Sequence, residues 1–391
     1  MTRTAEVFLV FLRLGLTSFG GPVAHLGYFR REFVERRRWL DEPAYASVVA
    51  LCQFLPGPAS SQVGMALGLM RAGLAGAFAA FVGFTAPSAI LMTAFAFALN
   101  RLGDVTHAPW VHGLKLAAVA IVAQAVWSMA KSLTPDLPRA AFAAVAAAAV
   151  LVLPFDGTQV AVIALAALCG ALLLSSHPQA SAPLSLRVPR ALGIGALALF
   201  TMLLIGLPLA AGASHVLGVA AAFYRSGALV FGGGHVVLPL LQKAVVDPGW
   251  VDRSSFLAGY GAAQAMPGPL FSFAAFLGAA LKSPPHGVGG AALALSAIYL
   301  PSFLLVLGVA PWWSAVQSHP GFARAVSGAN AAVVGLLAAA LYTPVFTGAV
   351  FSLSDAAIVG VLLVLLLWRR VPPWVIVALA VALAVAAARI A

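Results

Sequence analysis

The chain has 391 residues, of which 62% are hydrophobic and only 8% are charged, and its formal net charge is +11. Soluble domains carry about 25% charged residues, so this composition excludes an ordinary soluble domain and indicates an all-α polytopic membrane protein. The arginines lie in short loops between apolar segments, which is typical of cytoplasmic loops and argues against a nucleic-acid partner.

The first apolar segment is interrupted. Arg13 lies inside it, where a cation costs at least about 2.5–3.5 kcal/mol on insertion scales, and Gly20, Gly21 and Pro22 then break the helix. We predict a retained first span that is broken within the membrane, and a re-entrant pair over residues 5–27 is the alternative. Arg13 is either a snorkelling side chain or a ligand that holds an oxyanion.

A second break follows the arginine-rich loop 30–38, which we interpret as cytoplasmic. The segments 44–57 and 58–70 are each too short to span a membrane, so they predict two half-length helices that meet within it. A helix that begins there directs free N–H groups inward, a geometry that binds oxyanions, whereas close helix packing is the structural alternative. The candidate ligands of this half are Arg13, Gly20, Gly21, Gln53, Pro56, Gly57, Pro58, Ser60 and Ser61.

Three later apolar runs read as ordinary spans, at 139–155, 157–176 and 190–212. Lys115 precedes them in another apolar run, and it is either a further ligand or an interfacial anchor.

The motifs recur in the same order 211 to 215 residues later. The segment "FLRLGLTSFGGPVAHL" (11–26) matches "FYRSGALVFGGGHVVL" (223–238), and "CQFLPGPASSQ" (52–62) matches "AQAMPGPLFSF" (263–273). We therefore predict two homologous halves, 1–186 and 187–391, the second preceded by an extra span at about 190–212. The candidate ligands of the second half are Arg225, Gly232, Gly233, Gln264, Pro267, Gly268, Pro269 and Ser272.

The two halves differ in charge and in detail. The loop after the second glycine motif balances Lys243 and Arg253 with Asp247 and Asp252, unlike the first loop. Together with the extra span, this predicts inverted-topology repeats whose broken helices meet near the bilayer midplane. Within the motifs, Gly234 replaces Pro22, and the serine pair is reduced to Ser272; His25 and His235 are secondary candidates, as titratable or as structural groups.

The sequence also lacks several kinds of site. Its acidic residues lie near span ends or in loops, which argues against a cation channel or a carboxylate proton relay. No catalytic or metal-binding motif is present, so we predict no enzyme activity, no metal and no cofactor. Of the functions considered, these absences leave the transport of anions.

The run from Phe11 to Gln62 resembles the signature of the chromate ion transporter family. It has Phe19-Gly20-Gly21-Pro22, then Trp39-Leu40-Asp41, then Gln53 before Pro56-Gly57-Pro58, in the order typical of that family. The resemblance covers about 5–130 and 215–345, as in the family's long two-domain form. It implies efflux of chromate by alternating access across a bacterial-type inner membrane, and thereby chromate resistance.

Two other interpretations stay open at this point. Sulfate or another small oxyanion is the alternative cargo, because chromate and sulfate share charge and shape. A membrane-embedded enzyme acting on a phosphate-bearing lipid is the third, although the sequence offers no general base for it. Membrane lipid is the other expected partner, and a homodimer is compatible with the sequence.

Overall fold

The computed structural model describes residues 2–102, 108–153, 158–175, 186, 188–231, 234–368 and 371–390. These residues form α-helices with short π and 3₁₀ segments, and no strand occurs among them. Five of the helical segments are long and apolar enough to cross a membrane, namely Ala59–Arg101, Pro109–Leu133, Arg190–Ala213, Gly287–Trp312 and Pro320–Phe346. The prediction of an all-α polytopic protein is confirmed.

The first half begins with short helices around its two breaks and continues with longer ones. The fourth helix bends at Ala72 and Gly73, where the backbone is not helical, so we divide it into α4a (59–71) and α4b (74–101). The helices are α1 (Arg3–Thr17), α2 (Gly21–Arg30), α3 (Glu42–Phe54), α4 (Ala59–Arg101), α5 (Pro109–Leu133), α6 (Leu137–Val152) and α7 (Thr158–Leu173), followed by the extra helix α8 (Arg190–Ala210).

The second half repeats this order. Helices α9 to α13 correspond to α1 to α4b, and α15 to α17 correspond to α5 to α7, so the prediction of two homologous halves is confirmed. Their bounds are α9 (His215–Ala228), α10 (Val237–Leu241), α11 (Arg253–Ala263), α12 (Phe273–Ala279), α13 (Gly287–Val309), α14 (Trp313–Ser318), α15 (Pro320–Ala340), α16 (Leu353–Trp368) and α17 (Pro373–Ile390).

Two re-entrant hairpins form the beginning of the first half. Glu6, at the start of α1, accepts hydrogen bonds from Arg37, which lies beyond α2, and from Arg71, which ends α4a. Each pair of short helices therefore enters the bundle and returns to the same side, which we call the first face. The prediction of a single broken first span is wrong, and the re-entrant alternative is correct, because Gly20 and Gly21 at φ +103° and +81° turn the chain back.

The second half builds the same two hairpins from the opposite side, the second face. The His215 ring, at the start of α9, lies 4.9 Å from that of Trp250, and the amide of Lys282, beyond α12, donates to the Trp250 carbonyl at 3.1 Å. Asn100, near the end of α4b, lines a cavity with Asp252 and Lys282. Because α4b is about 40 Å long and starts at the first face, the halves are inverted repeats.

The halves interlock through their central helices. In α5, Gly113 allows contact with the backbone of Ala380 and Val381 in α17, while in α15 Gly328 allows contact with Ala166 and Gly170 in α7. A Cβ at either glycine would lie within 3 Å of that backbone. Each half thus packs its last helices around the central helix of the other.

Ion pairs cover the first face beside the hairpins. Arg37 Nε donates to Glu32 at 2.6 Å, and Arg36 donates to the same carboxylate at 3.1 Å. Partial burial acts to raise the pKa of Glu32, but the hydrogen bonds from Arg37 and Arg36 lower it, and the pKa lies below its usual range. Arg36 and Arg37 of the basic loop 30–38 are therefore held by ion pairs with the neighbouring carboxylate of Glu32.

Candidate functional site

The helix breaks of the two halves meet in the interior. The Gly57 amide donates to the Val230 carbonyl at 2.7 Å, and the Gly268 amide donates to the Ser18 carbonyl at 2.8 Å. Gly57 matches Gly268 in the repeat, and Ser18 matches Val230. Such reciprocal contacts define a two-fold relationship, so a pseudo-two-fold axis passes through this place. We call these four residues and their immediate neighbours the crossing.

Both Pro-Gly-Pro turns require glycine. Gly57 has φ +124° and Gly268 has φ +92°, which L side chains rarely adopt. A Cβ at Gly57 would lie 2.6 Å from Ser302 Oγ, and one at Gly268 would lie 2.9 Å from Ser88 Oγ. Ser88 and Ser302 are themselves matched positions, so each turn packs on a serine in the long helix of the other half.

The axis also explains why the second half departs from the first at Gly234. Pro22 and Gly234 are matched positions, and they touch: a Cβ at Gly234 would lie 3.3 Å from Pro22 Cγ. A second proline beside the first would crowd the axis. The two matched positions therefore share space at the axis, and only the first carries proline.

Polar side chains at the crossing are buried and incompletely hydrogen-bonded. Buried polar groups normally have partners, so a concentration of unpaired ones indicates a place that receives water or a polar ligand. Within the part of the chain that the structure describes, buried side-chain atoms without a partner occur in Ser18, Ser61, Gln62, Thr85, Gln264, Tyr299 and Ser302.

Both histidines have structural partners at the breaks. His25 lies with Nε2 at 3.2 Å from the Ser18 carbonyl and Nδ1 at 3.4 Å from Ser60 Oγ. In the second half, His235 Nδ1 lies 2.7 Å from the Tyr260 hydroxyl. These contacts favour the structural interpretation of the two residues.

The structure does not bring the two arginines into the buried crossing. Arg13 is exposed on the α1 face that also carries the exposed Leu9 and Leu16. Arg225 is exposed too, and it lines a cavity of about 490 Å³ with Lys243 and Asp247. The prediction of a buried arginine pair around the anion is therefore not supported, because the sequence shows the depth of a residue in a helix but not the face that is covered.

The remaining predicted ligands divide between the two turns. Gln53 is exposed, whereas the matched Gln264 is half-buried. The Pro56 carbonyl accepts a hydrogen bond from Gln62 Nε2 at 2.7 Å, and the Pro269 carbonyl accepts one from Ser272 Oγ at 2.7 Å. Pro58, Ser60, Ser61 and Pro267 are buried, Gly20 is exposed, Gly21 is partly exposed, and Gly232 and Gly233 lie outside the described residues.

Lys115 is the one buried cation among the described lysines and arginines, with 6% of its surface exposed. Its neighbour in α5, Leu114, has its carbonyl 2.2 Å from the position of a Cβ on Gly261 in α11, three residues before Gln264. The sequence places Lys115 only among secondary candidates. The structure brings its helix against the helix that leads into the second turn.

Sequence reasoning missed four hydroxyl residues at the crossing, Thr85, Ser88, Tyr299 and Ser302. Thr85 matches Tyr299 and Ser88 matches Ser302, each 214 residues apart. The only signal was the similarity of "APSAILM" (86–92) to "LPSFLLV" (300–306), which indicates the repeat but no chemistry. Their approach to the turns depends on how the long helices cross.

Comparison with known proteins supports the same division of the chain. The sequence model of a family described as chromate transporter matches residues 5–172 and 217–385. A chromate transport protein of Cupriavidus metallidurans is 30% identical over 91% of this chain and 84% of its own length. One from Pseudomonas aeruginosa is 28% identical over 85% and 79%, and an uncharacterized transporter of Methanocaldococcus jannaschii is 26% identical over 85% and 82%. No solved structure matches the chain.

Proposed function

Because this chain belongs to the chromate transporter family, we propose that it exports chromate, a tetrahedral dianion, from the cytoplasm. The observation that carries the proposal is the crossing, where two inverted halves join their helix breaks and leave buried polar groups unpaired. Inverted repeats with broken helices are a recurrent transporter plan, and rocking of one repeat against the other gives alternating access.

The anion would bind beside the start of α4. This helix begins at Ala59, directly after the first turn, and its first N–H groups have no acceptor within the helix. Together with the positive end of the helix dipole, they suit an oxyanion. Lys115, whose helix packs against α11 before the second turn, would supply the counter-charge. This arrangement replaces the arginine pair as the proposed binding site.

Arg225 would act at the outer end of the path. It lines the cavity with Lys243, and a small extension of that cavity reaches Leu229, the residue that ends α9 before the break. Two cations and one carboxylate, Asp247, line the cavity, and its net positive charge attracts anions and raises their local concentration. We assign Arg225 to this cavity. Arg13, at the matched position, lies on the exposed side of α1.

The first face would lie in the cytoplasm of a bacterial-type inner membrane. Cytoplasmic surfaces collect Lys and Arg, and anionic lipids bind them there. Cysteines introduced at Arg38 and Gly249, in a chain with Cys52 and Cys169 replaced by Ala, should react with impermeant maleimide from opposite sides. The described basic residues of the first face are Arg3, Arg30, Arg31, Arg36, Arg37, Arg38, Arg71, Lys131, Arg139, Arg190 and Arg324; those of the second are Arg101, Lys243, Arg253, Lys282 and Arg389.

Energetics favour export. Moving a dianion out through an inside-negative potential of 100 mV releases about 4.6 kcal/mol, since each charge contributes about 2.3 kcal/mol. Efflux then needs no coupled ion, and both halves of the site come from one chain, so a homodimer is not required for binding.

Uptake of radiolabelled chromate into inverted membrane vesicles tests the proposal. We expect saturable uptake that increases with an imposed lumen-positive potential and is absent from vesicles without the protein. Sulfate in excess distinguishes the cargo: sulfate flux without chromate flux would identify a sulfate permease. No flux of either anion would contradict the proposal.

A further inference from the structure

Three buried hydroxyl groups lie together at the pseudo-two-fold axis. Ser61 lies in the first turn of α4, Thr85 lies in α4b and Tyr299 lies in α13, and their exposed fractions are 3%, 1% and 1%. The Tyr299 hydroxyl faces the hydroxyls of Ser61 and Thr85. None of the three has a well-formed hydrogen bond to another described residue.

Packing does not explain why these positions are polar. The ring of Tyr299 lies between Phe81 and Phe271, with centroids at 4.9 and 5.9 Å, so phenylalanine would fill the same space. A buried hydroxyl without a partner destabilises the fold relative to an apolar group of the same shape. Among the described residues the three hydroxyls have only one another as polar neighbours, and a ligand that accepts their protons would account for all three.

The serine that matches Ser61 in the second half is not free. Ser272, which matches Ser61, donates its proton to the Pro269 carbonyl at 2.7 Å. Phe273 replaces Gln62, whose Oε1 is buried and unpaired. Of this matched serine pair, only Ser61 keeps a free hydroxyl.

We infer that Ser61, Thr85 and Tyr299 are the donor set that binds the transported dianion, at one site per chain, and this inference rests on the proposed function. A fully ionised tetrahedral anion offers only acceptors, and each hydroxyl can turn its proton toward an anion oxygen. Hydrogen bonds to a charged acceptor are stronger than those between neutral groups. The donors come from both halves, so a rocking motion that separates α4 from α13 releases the anion.

Transport by the purified chain in proteoliposomes tests the assignment. Tyr299→Phe, Thr85→Val and Ser61→Ala each remove one hydroxyl and keep the shape. Each variant should raise the KM for chromate about tenfold, and the inhibition constant for sulfate should rise in parallel. Tyr224→Phe is the control, because its hydroxyl already donates to the Phe200 carbonyl, and its KM should stay within about twofold of wild type.

Thermal unfolding of the same variants separates binding from a structural role. Removing an unpaired buried hydroxyl should leave Tm unchanged or higher, so Tyr299→Phe should unfold at least as late as wild type while binding chromate more weakly. A lower Tm with an unchanged KM in the three variants would overturn the assignment of the donor set but not the proposed function. A wild-type protein that moves neither chromate nor sulfate would overturn the proposed function, and the assignment with it.

Discussion

The two halves share one backbone plan but not one set of side chains. Both contain two re-entrant hairpins, and their Pro-Gly-Pro turns exchange the same hydrogen bond across the axis. Where matched residues meet at that axis, however, they differ: Pro22 meets Gly234, and Thr85 is matched by Tyr299. At the first turn Ser61 keeps a free hydroxyl, while at the second turn the matched Ser272 donates to the Pro269 carbonyl.

The difference shows which part of the duplication is constrained. Backbone contacts at the crossing need glycine and a matching partner in both copies, because either break would otherwise leave buried amides unpaired. The side chains around them are free to diverge. A symmetric backbone thus carries an asymmetric set of side chains.

The largest expected effect comes from adding a Cβ to the glycine of either Pro-Gly-Pro turn. Gly57→Ala should abolish chromate uptake and lower stability by about 3 kcal/mol, because φ +124° is strained for alanine and its Cβ would meet Gln62 and Ser302 at 2.6 Å. Gly268→Ala should have a smaller effect of the same sign, since its nearest atom is at 2.9 Å. Vesicle uptake and the Tm of the purified variants measure both.

Gly73→Ala is the control for backbone strain. Gly73 also has positive φ, at +63°, but no described atom outside its own stretch of chain lies within 4 Å of the position that a Cβ would take. The substitution should cost about 1 kcal/mol and leave uptake in place. Equal losses at Gly57 and Gly73 would mean that strain, and not the crowded crossing, determines the result.

The second-largest loss of transport should come from removing the buried charge of Lys115, which the second half lacks. Lys115 is buried in α5, while the matched residue in α15 is Asn330. Lys115→Met should reduce kcat/KM for chromate at least about tenfold, which corresponds to about 1.4 kcal/mol of lost attraction for the dianion. Lys115→Arg should retain part of the activity, because it keeps the charge.

Asn330→Leu is the control in the other half, and it should change kcat/KM by less than about threefold. If Asn330→Leu impaired transport as much as Lys115→Met, the two central helices would contribute through packing rather than charge. Transport by the Lys115→Met variant at the wild-type rate would remove the lysine from the site.

The sequence predicted the architecture of the two repeats more accurately than it predicted the residues that bind the anion. The repeat of glycine, Pro-Gly-Pro and tryptophan motifs was enough to predict two inverted halves with breaks that meet. Arg13 and Arg225 were predicted inside the site but are exposed, because the helical face that is covered depends on tertiary packing. Thr85 and Tyr299 carry no motif, and they reach the axis only because α4b and α13 cross there.

A smaller effect should arise where the two hairpins touch at the axis. Gly234→Pro places a second proline against Pro22 and should lower uptake several-fold. The double variant Pro22→Gly with Gly234→Pro moves the single proline to the other half and should recover most of that loss, with a coupling free energy of about 1–3 kcal/mol. Losses that simply add would show that the two positions do not share space.

The smallest effect should distinguish the two faces. Glu6 accepts hydrogen bonds from Arg37 at 3.4 Å and from Arg71 at 2.8 Å, and Arg71 also lies 5.0 Å from the centroid of the Trp39 ring. On the second face, Lys282 and Asp252 form a pair at 2.8 Å with both side chains more than half exposed. Exposed pairs contribute little, whereas charges that belong to a network contribute more.

Glu6→Gln should therefore lower the free energy of unfolding by about 1 kcal/mol, and Asp252→Asn by less than about 0.5 kcal/mol. Thermal unfolding in detergent measures both, and about 1 M salt should reduce the Glu6 effect because it screens partly exposed charges. Equal effects would contradict the difference between the faces. If the prediction holds, the hairpins of the first face are held together at their ends, and those of the second face are the ones freer to move when the crossing opens.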